Sequence, residues 1–318
     1  MADSSVTGDP RIHVTLDQLR GLERESRGLS FLPGQPSGSV LHGRQASRLR
    51  GRGFDFKEMR GYQPGDDVRA IDWRATARTG VPHVRVFAEE RDRPALLVVD
   101  QRMSMFFGTR LNMKSVTAAE ASAIAAYQIL AAGDRVGGIV FDDERQLEVV
   151  PKRSNHALYT LLEGVTEMNQ GLYAGRIAET EPGSLNRVLG SIARIANHDH
   201  LILVFSDFDG IDETTHRRLS GIARHNDLIL MLVHDPVALS LVDDLPRNAH
   251  PAIIGDGRQQ AEVNFASKSL REALGRFSRE RLEYIQTWQQ EINLSVLPLS
   301  AGEPTLPQLR YLLGSVKA

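Results

Sequence analysis

Three aspartates close short apolar runs in this chain. Asp100 follows Ala95–Val99, Asp207 follows Leu201–Phe205 and Ser206, and Asp235 follows Leu228–Val233 and His234. Runs of that kind read as strands covered on both faces, and ligands of an open parallel sheet sit beyond the carboxyl ends of its strands. Ser104 stands four residues after Asp100, so one loop offers a carboxylate and a hydroxyl, with Asp207 at a neighbouring strand end. That donor set suits a hard cation such as Mg²⁺, which takes one or two carboxylates and keeps several waters. The competing reading is structural: Asp100 and Asp207 cap the turns or helices that follow them.

A second constellation lies in the segment from Arg60 to Arg78. Pro64-Gly65-Asp66 is a turn signal. Arg60, Asp66, Arg69, Asp72 and Arg78 alternate so closely that ion pairs among them are expected. Exposed pairs contribute only ~0–1 kcal/mol each, so stability is a weak reason for having so many. Local geometry or a partner's acidic surface is a better one, and Trp73, beside Arg74 and close to Tyr62 and Arg69, has the composition of an interface anchor.

The common catalytic signatures are missing. No Gly-x-x-x-x-Gly-Lys, Gly-x-Ser-x-Gly or His-Glu-x-x-His occurs, and Gly51-Arg52-Gly53 lacks a third glycine and precedes the sheet. The chain has no cysteine, which excludes disulfides, thiolate nucleophiles and metal sites built on Cys. His198-Asp199-His200 reads as a polar loop before a strand. The sequence therefore predicts a protein that is not an enzyme.

The elements that position these residues follow from periodicity and punctuation. With 318 residues, 41% hydrophobic and 25% charged, the chain has the composition of a globular protein. No apolar run approaches the ~18 residues of a membrane span, and the polar start predicts no secretory signal, hence a cytoplasmic location. Residues 1–42 read as a helix over Thr15–Arg27 and a Pro/Gly-rich linker. Residues 43–93 read as a small β-rich subdomain of short strands and loops, carrying 12 Lys+Arg against 8 Asp+Glu in a chain of net charge −2. From 94 to 318, buried strands alternate with helices over Lys114–Ala132, Asn155–Val165, Ser184–Ala196 and Glu213–Arg224. That alternation predicts an α/β domain, a mostly parallel sheet with helices on both faces. A hairpin over Ala252–Phe265, a long helix over Lys268–Asn293, a last strand at Leu294–Leu297 and a terminal helix at Leu306–Leu313 complete the expectation.

The run Gly53-x-Asp55-Phe56, Arg60-x-Tyr62, Gly65-Asp66-Asp67-x-Arg69-x-Ile71-Asp72-Trp73 and Ala77-Arg78, followed by Glu89-Glu90, resembles the bacterial family called domain of unknown function 58. The resemblance is specific from about Leu41 to Val165. It implies a von Willebrand factor A-like fold with a small β-rich preface. It also implies partnership with MoxR-type AAA+ ATPases, and with other von Willebrand factor A-domain proteins, in protein assembly or maturation. Such A domains often hold Mg²⁺ in an adhesion site whose first loop is Asp-x-Ser-x-Ser. Asp100 and Ser104 match that loop, Asp207 matches the third loop, and Ser184 is the match for the second. Arg102 stands where the middle serine belongs. A guanidinium ~5 Å from Mg²⁺ costs ~6–7 kcal/mol at an effective dielectric of ~20. The expectation is a degenerate site, with Arg102 either swung into solvent, where the lost ligand stays lost, or pairing its permanent charge with Asp100 or Asp207 in place of a metal.

The leading reading is thus a non-enzymatic interaction module. Two others compete: nucleic-acid binding through the Arg-rich 44–93 segment, and a metal-dependent hydrolase using Asp100 or Asp207. The interspersed acids oppose the first, since they repel phosphates and occupy the arginines. Arg102 and the missing nucleophile oppose the second.

Overall fold

The computed structural model describes residues 8–27, 55–63, 71–88, 93–176, 185–236, 252–255, 260–263, 283–285, 287–289, 291–292 and 294–313. The chain divides into two compact units, Gly43–Asp92 and the remainder. Helix α1 (Leu16–Glu25) starts at Thr15, whose hydroxyl accepts the Gln18 N–H at 3.2 Å. Its Leu19 is fully buried, with Leu16 and Leu22 against the same core, so α1 packs into the larger unit.

In the smaller unit, β1 (Asp55–Gly61) and β2 (His83–Ala88) pair antiparallel. Between them lies a helix, α2 (Trp73–Thr79), where the sequence predicts only strands and loops. Local signals explain the difference. The Asp72 carboxylate accepts the Arg74 and Ala75 N–H groups at 3.0 Å each, and Gly80 ends the helix at φ 75°, a conformation that glycine adopts without strain.

The larger unit is built on a six-stranded sheet. Its strands are β3 (Pro94–Asp100), β4 (Arg135–Phe141), β5 (Gln146–Lys152), β6 (Leu201–Ser206), β7 (Asp227–His234) and β10 (Leu294–Ser300). Their spatial order is β10-β7-β6-β3-β4-β5, parallel throughout except for β5, which runs antiparallel to β4. This is the mostly parallel α/β sheet that the alternation predicts. Along β3 the side chains divide by parity: Ala95, Leu97 and Val99 enter one core, Leu96 and Val98 the other. Helices α3 (Lys114–Ala131), α4 (Asn155–Gln170) and α7 (Thr305–Leu313) cover the first face, and α5 (Leu185–Ile195) and α6 (Glu213–Ala223) the second. Trp288, in the stretch read as a long helix, is buried in the second core; residues 268–282 lie outside the described part. The expected hairpin is present as β8 (Ala252–Gly255) and β9 (Gln260–Val263).

Helix α3 is buried nearly all round rather than along one stripe, because α1, α4 and α7 pack over it. Ala118, Ala119, Ala121, Ala123, Ala125 and Ala126 let those neighbours approach closely. Two glycines interrupt β4 for a similar reason: a Cβ on Gly138 would lie 2.2 Å from the Leu97 carbonyl oxygen. Both sheet edges carry a proline, Pro151 in β5 and Pro298 in β10, which removes an N–H that a further strand would need. No helix among the described residues is long and apolar enough to cross a membrane.

Candidate functional site

From β3 the chain steps outward to β4 and β5, then returns to β6 beside β3 and steps the other way to β7 and β10. Strand order therefore reverses between β3 and β6, and the crevice at their carboxyl ends is where such a sheet binds ligands. Asp100 and Asp207 both stand there, at 0% and 4% exposure.

Arg102 fills the crevice. Its Nε donates to both Asp100 carboxylate oxygens at 3.0 and 3.1 Å, its Nη2 donates to Oδ2 at 2.7 Å, and its backbone N–H adds a bond of 3.0 Å to Oδ1. Nη2 also lies 3.8 Å from Asp207, while Nη1 donates to the Asp209 carbonyl at 3.2 Å. The guanidinium sits 5.7 Å from the centre of the Phe141 ring. Burial works against its charge, but Asp100, and then Asp207 and Asp209, more than reverse this and hold its pKa above the ordinary arginine value. Ser206 Oγ also donates to Asp100 Oδ2, at 2.6 Å.

Asp207 has a cation of its own. Lys114, the first residue of α3, donates from Nζ at 2.6 Å to Asp207 Oδ2. Ser104 Oγ and the Asp209 N–H reach Oδ1 at 3.3 and 3.0 Å. A positive charge at a helix N-terminus is opposed by the helix dipole, so Asp207 compensates a position that local rules disfavour.

Carboxylates at four strand ends hold the loop between β3 and α3. Besides Asp100 and Asp207, Asp143 after β4 accepts the Met103 N–H at 2.8 Å. Asp235 after β7 accepts both the Thr109 N–H and its hydroxyl at 2.7 Å. Burial raises the Asp143 pKa, more than the Met103 bond and the nearby Arg102 charge lower it. The loop is also clasped from both chain ends: Met113 N–H donates to the Arg11 carbonyl and Asn112 N–H to the Ala301 carbonyl, each at 2.9 Å. Below it, Glu120 accepts from Gln18 at 3.0 Å, Asn112 at 3.4 Å and Thr305 at 2.5 Å, and burial pushes its pKa up.

These residues do not fit a Mg²⁺ ion. Guanidinium nitrogens already lie at 2.7–3.1 Å from both oxygens of Asp100, which is the position a divalent cation would need. A metal displaced toward Asp207 would meet the Lys114 ammonium and the same guanidinium. Among the described residues, no three His, Cys, Asp or Glu side chains converge as a metal site.

The structure brings Asp100, Arg102, Ser104 and Asp207 together, as their spacing suggests, whereas Ser184 lies outside the described residues. Of the second constellation, Asp66 and Arg69 also lie outside, and Arg60 is placed by its backbone in β1, opposite Val84. Asp72 is the buried cap of α2, Tyr62 and Arg78 are exposed, and Trp73 is 69% exposed. His198 and His200 bond to Asp199 and to the His198 carbonyl respectively, not to a shared point. Sequence reading missed Lys114, Ser206 and Asp143. The one available signal was the lysine at the disfavoured first position of α3.

A family described as a protein of unknown function, DUF58, matches residues 58–281, a span that includes both α2 and the crevice. The chain belongs to the DUF58 family. Uncharacterised proteins of Mycobacterium tuberculosis and Mycobacterium bovis are 31% identical to this DUF58 protein over 217 residues. Those matches cover 68% of this chain and 66% of each relative, a little under two thirds of the relatives' own length. No solved structure matches it.

Proposed function

We propose that this DUF58 protein is a non-enzymatic protein-interaction module of the cytoplasm, a partner or adaptor of a MoxR-type AAA+ ATPase in protein assembly or maturation. Its larger unit is a von Willebrand factor A-like domain with a degenerate adhesion site, and other proteins with such domains are further candidate partners. One observation carries the reading. The crevice where this sheet order would receive a ligand is filled by the protein's own Arg102 and Lys114, each paired with one of the two aspartates. Their charges are neutralised in place, so the crevice is a brace and the surface around it is left for docking. That rim carries half-buried Phe106 and Phe107 and exposed Arg110, residue types that anchor protein interfaces.

A tagged pull-down from native lysate, free of nucleotide and run with either Mg²⁺ or EDTA, tests the reading. Mass spectrometry is expected to identify an AAA+ ATPase equally in both. Recovery only with Mg²⁺ would contradict the metal-free brace, and recovery of no ATPase in either would contradict the partnership.

A further inference from the structure

We infer that the outer face of α2 is a docking site for an acidic protein segment, an inference that rests on the interaction-module reading and names the chemistry of the partner. A helix of seven residues is too short to persist on its own propensity. Here it is held at every point: by the Asp72 cap, by Gly80, by the Asp72 N–H to the His83 carbonyl at 2.8 Å, and by the His83 N–H to Thr76 Oγ1 at 3.1 Å. Yet only Ala75 of the helix is buried, so this bracing adds almost nothing to a core. What it fixes is the outward face.

That face bears Trp73, Arg74, Ala77 and Arg78, all exposed. Trp73 and Ala77 are one turn apart, as are Arg74 and Arg78, and like charges at that spacing work against an isolated helix. No acid stands in the first turn to relieve them, and the Asp72 carboxylate is turned back onto the helix N–H groups. The Tyr62 N–H bonds to the Pro82 carbonyl at 2.9 Å, so the backbones bearing Tyr62 and Trp73 flank the Pro82–His83 step, beside exposed Val81. Trp73, beside the Arg74–Arg78 pair, presents an apolar anchor next to two planar forks, which fit the carboxylates of an acidic segment. A protein segment suits this better than nucleic acid does. Eight acids are interspersed in sequence among the eleven bases of residues 43–92, so this stretch offers no unbroken basic run to a phosphate backbone.

The chain has two tryptophans, and the other, Trp288, is 1% exposed, so solvent-sensitive emission reports on Trp73. Titrating the full chain with poly-L-glutamate at 0.15 M salt, a concentration at which charges more than ~8 Å apart are largely screened, is expected to shift Trp73 emission saturably. Arg74→Glu with Arg78→Glu is expected to weaken that binding at least ~10-fold, and Trp73→Phe to remove the signal while Trp288 still reports a folded core. No saturable change, equal binding by the charge-reversed variant, or tighter binding of single-stranded poly(U) would each overturn the inference. Its failure is separable from failure of the module reading. Undiminished ATPase recovery by the charge-reversed variant would sink this site alone, whereas poly-L-glutamate binding by a wild-type protein that recovers no ATPase would sink only the named partnership.

Discussion

Arg102→Ala is expected to cost ~3–5 kcal/mol of folding stability, more than any other single change at the switch point. The reason is the state in which Asp100 would be left. It is fully buried, and three of the four bonds from Arg102 to it come from the guanidinium. Removing that cation leaves a buried carboxylate with only the Ser206 hydroxyl and one backbone N–H. The size of the loss reports a stranded charge rather than the net worth of the pair, and a double-mutant cycle separates the two. Asp100→Ala alone strands the guanidinium instead, so Arg102→Ala with Asp100→Ala should cost clearly less than the sum of the single changes. Urea unfolding of the four proteins measures this. A loss below ~1 kcal/mol for Arg102→Ala, typical of an exposed pair, would mean that the pair does not hold the crevice.

Lys114→Met is expected to cost ~1–3 kcal/mol, measured in the same way. Methionine keeps an apolar stem of similar length near Phe107, so the change isolates the charge. The effect is smaller than at Arg102 because Asp207 keeps Ser104, the Asp209 N–H and the guanidinium at 3.8 Å. Lys114→Arg should restore most of the loss, since a planar cation can still reach Asp207. Equal stability of Lys114→Met and wild type would leave Asp207 balanced by Arg102 alone.

Much of this architecture is legible one element at a time. Continuous runs such as Ala95–Val99 and Leu201–Phe205 mark buried parallel strands, and the aspartates at their ends mark the carboxyl-end side of the sheet. Even the insertion of Arg102 into the first loop raises the right electrostatic question, because a fixed guanidinium and a divalent ion cannot share one carboxylate pair. The residues that escaped are those whose roles depend on distant partners. Lys114 meets Asp207 across 93 positions and Ser206 meets Asp100 across 106, and no periodicity encodes such pairings. Helix α3 is legible in its span, Lys114–Ala131 against the expected Lys114–Ala132, but not in how deeply it is buried. Its small Ala, Ser and Thr side chains give a weak hydrophobic signal although nearly all of them are buried. In α2, Asp72 stands among arginines and invites an ion-pair reading, and its carboxylate also starts a helix.

Calorimetric titration of the wild-type protein with MgCl₂ tests directly whether side-chain cations occupy the switch point in place of a metal. No saturable heat is expected, because both aspartates already hold their cations. Micromolar binding of Mg²⁺ that Asp100→Ala abolishes would contradict it and return the crevice to the metal-binding class.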